Sequence, residues 1–162
     1  MAYKMRIPAK WFEGNPNLKN WGYDFFYNID GSVGMDAANT QGDVFLVQYM
    51  LYRWGHYKTE WAAPGKQSGW APDFDVPKIE ISGAFDELTR AWIIYYQMHR
   101  YNYAKTLNGR IEPISSKMGP HVTSVLMDLN VQVRTSPSLK VNDYLLAQAP
   151  GQVKQAVSEL RD

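Results

Sequence analysis

Histidine and acidic side chains are the residues of this chain that could bind a metal ion or catalyse a reaction. Its histidines are His56, His99 and His121, and none forms a His-Glu-x-x-His motif or another close pair. His56 and Glu60 lie four residues apart, which could place two ligands on one helix face, but no third ligand is near in sequence. We therefore predict no metal site and no cofactor.

Acid–base and nucleophilic catalysis also lack a suitable arrangement. Five acidic residues lie in segments that read as loops: Glu13, Asp24, Asp73, Asp75 and Glu80. A glycosidase needs two carboxylates at the bond it breaks, but the surface of any soluble protein offers as many. Residues 64–68 lack the second glycine of a phosphate-binding loop, and residues 115–116 lack the strand-to-helix turn around a catalytic serine. We predict a protein without enzymatic activity.

The overall charge argues against nucleic acid and anionic membranes as partners. Lys+Arg 17 against Asp+Glu 16 leaves a formal net charge of +1. A chain so close to neutral has no strong electrostatic field for either partner. No run approaches the roughly 18 consecutive apolar residues of a membrane span, so we also predict no membrane insertion.

Compartment signals are few. Residues 1–11 lack the apolar centre of a secretory signal peptide. The sequence therefore predicts a chain that is cytoplasmic as synthesised. The absence of cysteine excludes disulfides, thiol catalysis and cysteine-ligated zinc.

Aromatic residues are the unusual component, at 14% of the chain. Their side chains bury large areas and also form flat surfaces for sugars and peptides. The first zone, residues 1–38, is rich in glycine, asparagine and aromatic residues, and we interpret it as a packed arm with little helix. Within it, residues 23–29 predict a short strand that ends at the turn signal Asp30-Gly31.

Three helices are predicted in the second zone, residues 39–130. Apolar residues from Val44 to Trp54 recur at helical spacing and predict a first helix over 42–54. A second helix is predicted over 86–100, and a third over 120–129 with Pro120 near its first turn. Between the first two, residues 55–78 contain repeated glycine and proline and predict a long loop, a kind that is often functional.

The third zone, residues 131–162, is predicted to be a C-terminal extension. Residues 138–146 predict an extended segment. Residues 151–160 place Val153, Ala156, Val157 and Leu160 on one face, which predicts an amphipathic end helix.

Three motifs in this order resemble the peptidoglycan-binding domain family of the three-helix type, over residues 43 to about 130. They are DVFLVQYML at 43–51, GAFDELTRAWIIYYQ at 83–97 and NGRIEP at 108–113. Gln48 and Gln97 are placed so that their amides can tie loop backbone to the core, and Asp86 can satisfy the first turn of its helix. The chain departs from the family pattern at Asp86, normally glycine, at Trp92, normally small, and at Asn108, normally aspartate.

The resemblance implies a mainly α, compact three-helix domain and a non-catalytic module that binds bacterial peptidoglycan or a muropeptide. Such a ligand is bound by aromatic rings against sugar faces, with amides and charges for acetamido and peptide groups. The predicted ligand-binding residues are Tyr57, Trp61 and Trp70 in or beside the long loop, and Asn108 and Arg110 at the turn. Trp54, at the end of the first helix, is expected to belong to the core instead.

Cell-wall binding by a chain without a signal peptide requires delivery to the periplasm or wall by a non-classical route. Domains that this chain resembles occur in phage lysis and tail proteins and in proteins delivered by secretion machines. The alternative function is a structural or protein-interaction domain on the same scaffold that has lost glycan binding. Trp92 and the aromatic arm favour this alternative, because they can fill a groove or dock a partner protein or a second copy.

The predicted architecture is therefore one domain over residues 1–162. An arm with irregular or short-strand structure covers 1–38, a three-helix core covers 39–130, and an extension that ends in a helix covers 131–162.

Overall fold

The computed structural model describes residues 1–20, 24–60, 77–101, 107–118, 124–134, 144–157 and 160–161. These residues form seven helices: α1 (Ala9–Gly14), α2 (Pro16–Asn20), α3 (Gln41–Glu60), α4 (Glu87–Tyr101), α5 (Val125–Arg134), α6 (Tyr144–Ala147) and α7 (Gly151–Ala156). They also form five strands: β1 (Tyr3–Arg6), β2 (Phe25–Asn28), β3 (Val33–Gly34), β4 (Arg110–Ile111) and β5 (Leu160–Arg161).

The prediction of a mainly α, three-helix fold is only partly right, because the described chain is mixed α/β. The helices α3, α4 and α5 follow one another in the predicted order. The arm, predicted to contain little helix, forms α1 and α2, while the short strand predicted over 23–29 is confirmed as β2. The arm also contributes β1 and β3, so that its strands belong to two small sheets. A local sequence pattern cannot predict this pairing, since β1 lies beside β5 from the far end of the sequence.

β1 is the central strand of a three-stranded sheet with the order β2-β1-β5. β1 and β2 are antiparallel, with Met5 opposite Phe26, whereas β1 and β5 are parallel, with Met5 opposite Arg161. A second sheet pairs β3 with β4 in antiparallel fashion, so that Gly34 lies opposite Arg110. The two sheets therefore connect the arm to the C-terminal extension and to the turn after α4.

The N-terminus of α4 is capped as predicted, and both of its ends lie within one residue of the predicted positions. Asp86 Oδ1 accepts hydrogen bonds from the backbone N of Thr89 at 2.7 Å and from Thr89 Oγ1 at 2.6 Å. A side-chain oxygen at this position satisfies an amide group that the first turn of a helix leaves unpaired.

The predicted end of the first helix at Trp54 is wrong, because α3 continues to Glu60. Gly55 and the glycines and prolines beyond it indicate a loop, yet Gly55 lies inside α3. A Cβ at Gly55 would approach the Trp92 ring to 2.9 Å. Close packing against Trp92 therefore accounts for this glycine. Of the predicted loop, residues 61–76 lie outside the described residues.

Replacing Gly55 with alanine tests this close packing. Alanine favours a helix over glycine by about 1 kcal/mol, but Trp92 is only 7% exposed and its Nε1 donates to the Pro77 carbonyl at 2.9 Å. Since the ring cannot move freely, we expect Gly55→Ala to lower the free energy of unfolding by about 1–2 kcal/mol in urea denaturation. Gly151→Ala is the matched control, because nothing lies within 4 Å of a Cβ there. Stabilisation at both positions would contradict the packing argument.

The third helix and the C-terminal extension also differ from prediction. Ser124 caps α5, its Oγ accepting from the backbone N of Met127 at 3.1 Å, and α5 ends at Arg134 rather than at 129. The predicted start of this helix, residues 120–123, lies outside the described residues.

Residues 144–146 of the C-terminal extension, predicted to be extended, belong to α6, while 138–143 are outside the description. The end helix stops at Ala156 rather than at 160. Leu160, predicted to lie on its apolar face, is exposed and pairs with β1 as part of β5.

The buried hydrophobic residues form one cluster that includes members of all three predicted zones. Phe26 and Tyr27 from the arm, Leu46 from α3, Ile93 from α4 and Val153 from α7 are all fully buried in it. α3 packs against both α5 and α7. The arm and the extension therefore share the core of the long helices.

Candidate functional site

Gln48 on α3 holds the segment that leads into α4. Its Oε1 accepts from the backbone N of Ser82 at 3.0 Å and of Gly83 at 2.9 Å. Its Nε2 donates to the carbonyl oxygen of Ala84 at 2.9 Å. Gly83 has a φ of 73°, a left-handed conformation that favours glycine. We call such a side-chain amide, which both donates to and accepts from the main chain of another segment, a carboxamide clasp.

Gln97 forms a second carboxamide clasp at the other end of α4. Its Oε1 accepts from the backbone N of Gly109 at 3.1 Å. Its Nε2 donates to the Arg110 carbonyl at 2.8 Å and to Asn108 Oδ1 at 2.9 Å. Gln48 and Gln97 are both fully buried. The predicted role of these two amides, to tie loop backbone to the core, is confirmed.

Two further carboxamide clasps join the N-terminal arm to the core. Asn130 on α5 accepts from the backbone N of Tyr27 at 2.8 Å and donates to the Tyr27 carbonyl at 2.9 Å, as a neighbouring strand would. Asn28 accepts from the backbone N of Ile114 at 2.8 Å and donates to its carbonyl at 2.7 Å. Both amides are fully buried. Because unpaired polar groups are costly in a core, these clasps fix the arm against α5 and the segment after β4.

An aromatic cluster, defined by Trp54, Trp92, Tyr95, Tyr96 and His99, fills the interface between α3 and α4. The ring centroids of Trp54 and Tyr96 lie 4.7 Å apart, and those of Trp92 and Tyr95 lie 5.8 Å apart, both edge to face. The tryptophans and tyrosines of the cluster are buried, and only His99 is exposed. These buried rings belong to the core, as predicted for Trp54, and do not form a flat binding surface.

A cavity of about 350 Å³ lies against α3, beside the segment that the Gln48 clasp holds. Its lining combines aromatic rings, aliphatic side chains, an amide and a cation: Tyr49, Tyr52, Arg53, Ile79, Ile81, Gln148 and Pro150. Its volume is at the lower end of the range for small-ligand sites, and its walls combine apolar and polar groups. We therefore treat the cavity as the candidate functional site.

Helical spacing explains the α3 wall of the cavity. Tyr49, Tyr52 and Arg53 occupy positions i, i+3 and i+4 and so share one face of α3. The hydroxyl of Tyr49 donates to the Leu145 carbonyl at 2.8 Å. This contact holds α6 against α3 and with it the turn that carries Gln148.

The opposite wall is held by the Gln48 clasp. Ile79 and Ile81 are alternate residues of the segment that ends at Ser82, which Gln48 binds. The cavity is thus built from α3 and two segments that are distant from it in sequence. Hydrogen bonds from Gln48 and Tyr49 tie residues beside each of these two segments to α3.

Two cationic side chains lie at the cavity. Arg53 lines it, and Lys78 Nζ lies 5.0 Å from the centroid of the Tyr52 ring, a cation–π contact. The described lining residues include no acidic side chain. The cavity therefore suits a ligand with a ring face or apolar body, amide groups and a carboxylate.

Asn108 and Arg110 lie together at the turn after α4 and are not among the residues that line the cavity. Asn108 Oδ1 accepts from Gln97 Nε2 and from the backbone N of Arg110, both at 2.9 Å. Arg110 Nε lies 3.0 Å from Glu112 Oε1. Both side chains help to hold the turn, and their part in ligand binding remains a prediction.

The three aromatic candidates lie wholly or partly outside the described residues. Tyr57 lies in α3, but its side chain is outside the description, as are Trp61 and Trp70 altogether. Their role in ligand binding remains a prediction. The sequence interpretation overlooked Tyr52 and Arg53, although Tyr49, Tyr52 and Arg53 form a second helical stripe on α3 that could have indicated them.

The residues considered for catalysis or metal binding are dispersed. Glu13, Asp24 and Glu80 are exposed and do not line the cavity, while Asp73, Asp75 and His121 lie outside the described residues. Within the described ranges, no group of three or more His, Cys, Asp or Glu side chains could hold a metal ion.

Two further observations bear on function beyond the cavity. None of the helices in the described part is long and apolar enough to cross a membrane. Comparison with protein-family models, with curated proteins and with solved structures found no match. A function must therefore be argued from the residues of the site.

Proposed function

We propose that this protein is a non-catalytic module that binds fragments of bacterial peptidoglycan in the cavity beside α3. The lining of the cavity is the observation that supports it. Tyr52 offers a ring for a sugar face, Arg53 a guanidinium for a muramyl or stem-peptide carboxylate, and Gln148 an amide for acetamido or peptide groups. Such polymer fragments carry all three kinds of group.

The scaffold around the cavity gives a second line of support. Gln48 and Gln97 stand at motif positions that resemble the peptidoglycan-binding family, whereas Asp86 stands where the family normally has glycine. Each of the two glutamines makes the backbone contact that gives its motif a physical purpose. The Gln48 clasp also places the Ile79 and Ile81 wall of the cavity, so the same motif that organises the scaffold organises the proposed site.

Sedimentation with purified sacculi and calorimetry with soluble muropeptides test the proposal. We expect wild-type protein to bind and Tyr52→Ala to lose about tenfold in affinity, equivalent to about 1.4 kcal/mol. Tyr3→Ala is the matched control, because Tyr3 is also half-buried and also carries a cation over its ring, Arg161 at 4.3 Å. Equal losses in both variants would indicate general destabilisation, not a contact at the cavity.

The same assay with a Trp61→Ala/Trp70→Ala double variant tests the predicted loop residues. If this variant loses binding and Tyr52→Ala does not, the loop binds the ligand and the cavity assignment is wrong. If wild-type protein binds neither sacculi nor muropeptides, the peptidoglycan proposal fails. If the protein is found only in cytosolic fractions, the non-classical delivery that cell-wall binding requires does not take place.

A second candidate function is a protein-interaction domain that has lost glycan binding. Asn28 and Asn130 integrate the arm into the core, and buried Trp92 occupies the space beside Gly55. A scaffold filled in this way needs no glycan site. This function would be favoured if wild-type protein does not bind sacculi but self-associates in analytical ultracentrifugation or binds a defined partner.

A further inference from the structure

We propose that Asn108-Gly109 is a deamidation site, and that the hydrogen bonds of Gln97 slow its deamidation in the folded protein. This is the only Asn-Gly pair in the sequence. Asparagine followed by glycine is the pair most open to this reaction, because glycine has no side chain to obstruct ring closure. The inference is independent of the ligand, since it concerns the chemistry of the turn itself.

The reaction has two balanced steps. The backbone N of Gly109 loses its proton and attacks Cγ of Asn108, an N–C bond forms, and ammonia leaves to give a succinimide. Water then opens the ring at one of its two carbonyls and leaves aspartate or isoaspartate. Solvent supplies the water, and Asn108 is exposed to it.

Gln97 holds the attacking atom, the backbone nitrogen of Gly109, in a hydrogen bond. The N–H of Gly109 donates to Gln97 Oε1 at 3.1 Å in a buried position. Attack requires that this hydrogen bond break and that the proton leave, yet the deprotonated nitrogen would face the Gln97 oxygen. The clasp therefore opposes the first step directly.

Gln97 also restrains the atom that is attacked. Asn108 Oδ1 accepts from Gln97 Nε2 and from the backbone N of Arg110, both at 2.9 Å. Both contacts oppose rotation of the Asn108 side chain and so restrain the approach of Cγ to the Gly109 nitrogen. Local opening of the turn is thus required before the ring can close.

The two products differ in what they do to the turn. Aspartate keeps an acceptor oxygen for Gln97 and Arg110, so the clasp survives with an added negative charge. Isoaspartate adds a main-chain atom between positions 108 and 109, so the Gln97 clasp can no longer reach Gly109 and Arg110 together. Damage at this site therefore opens the end of α4.

Mass spectrometry of the full chain after incubation at mildly alkaline pH tests the proposal. We expect Asn108 in native wild type to deamidate at least about tenfold more slowly than in urea-unfolded chain, and Gln97→Leu to remove most of that protection. Gln48→Leu is the matched control, since it deletes the equivalent clasp at the other end of α4. Equal acceleration in the two variants, or equal rates in native and unfolded wild type, would overturn the proposal.

A second measurement covers the case in which Gln97→Leu does not fold. Amide hydrogen exchange at Gly109 and deamidation at Asn108 are followed in wild type as denaturant rises below the unfolding transition. We expect the two rates to rise together, because both require the Gly109 N–H to leave Gln97. Exchange that rises while deamidation does not would refute the role of Gln97.

Discussion

Asn130→Asp is expected to lower the free energy of unfolding by about 3–4 kcal/mol. The amide of Asn130 donates to the carbonyls of Tyr27 and Leu126, both at 2.9 Å. A carboxylate cannot donate, so it would place a buried charge against two carbonyl oxygens. The measurement is urea denaturation at neutral pH, and acidification should recover part of the loss because a protonated carboxyl can donate one bond.

The control for this prediction is Asn39→Asp. Asn39 makes the same two-point contact with Gly34, at 2.8 Å to its N and 2.8 Å to its O, but is only partly buried. Water can replace the lost donor there, so we expect a loss of about 1 kcal/mol or less. Similar losses at 39 and 130 would mean that burial does not set the strength of the clasp.

Asp128→Asn is expected to cost about 2–3 kcal/mol. Asp128 is 6% exposed and accepts from Tyr96 Oη at 2.6 Å and from two nitrogens of Arg100 at 2.8 and 2.9 Å. The substitution turns one acceptor into a donor and removes the negative charge beside the partly buried guanidinium of Arg100. Removing one partner of a buried pair costs about 3–5 kcal/mol, and the partial exposure of Arg100 places this case below that range.

Glu87→Gln is the control for the Asp128 prediction. Glu87 pairs with Arg90 at 3.2 Å, but its side chain is 88% exposed. Exposed pairs of this kind contribute little, so denaturation should show almost no change. A large effect at Glu87 together with a small one at Asp128 would reverse the expected dependence on burial.

Local signals in the sequence sufficed for the elements whose causes are local. α4 could be placed within one residue because Asp86 caps it and its apolar residues recur at helical spacing. The roles of Gln48 and Gln97 also followed from motifs in which spacing and turn glycines are fixed. The same reasoning misplaced the end of α3, because Gly55 is a packing glycine, and packing against Trp92 depends on a residue that a local pattern does not consider.

Features built from distant segments could not be predicted. β1 pairs with β5, Asn130 binds Tyr27, and the cavity joins α3 to two segments that follow much later in the chain. Neither Asn28 nor Asn130 stands in a recognisable motif, and a buried asparagine has no signature until its partner is placed. The sequence therefore predicts ligand-binding residues in the aromatic loop and at the turn after α4, whereas Tyr49 is the one motif residue among those that line the described cavity.

The clasp between Asn130 and Tyr27 also constrains when the protein can fold during synthesis. Its two residues are separated by 103 positions, and those of the Asn28–Ile114 clasp by 86. At a synthesis rate of roughly 5–20 residues per second, Tyr27 is synthesised roughly 5–20 seconds before Asn130. During that interval the main chain of Tyr27 lacks its Asn130 partner. β2 can therefore complete its native contacts only after α5 has been synthesised.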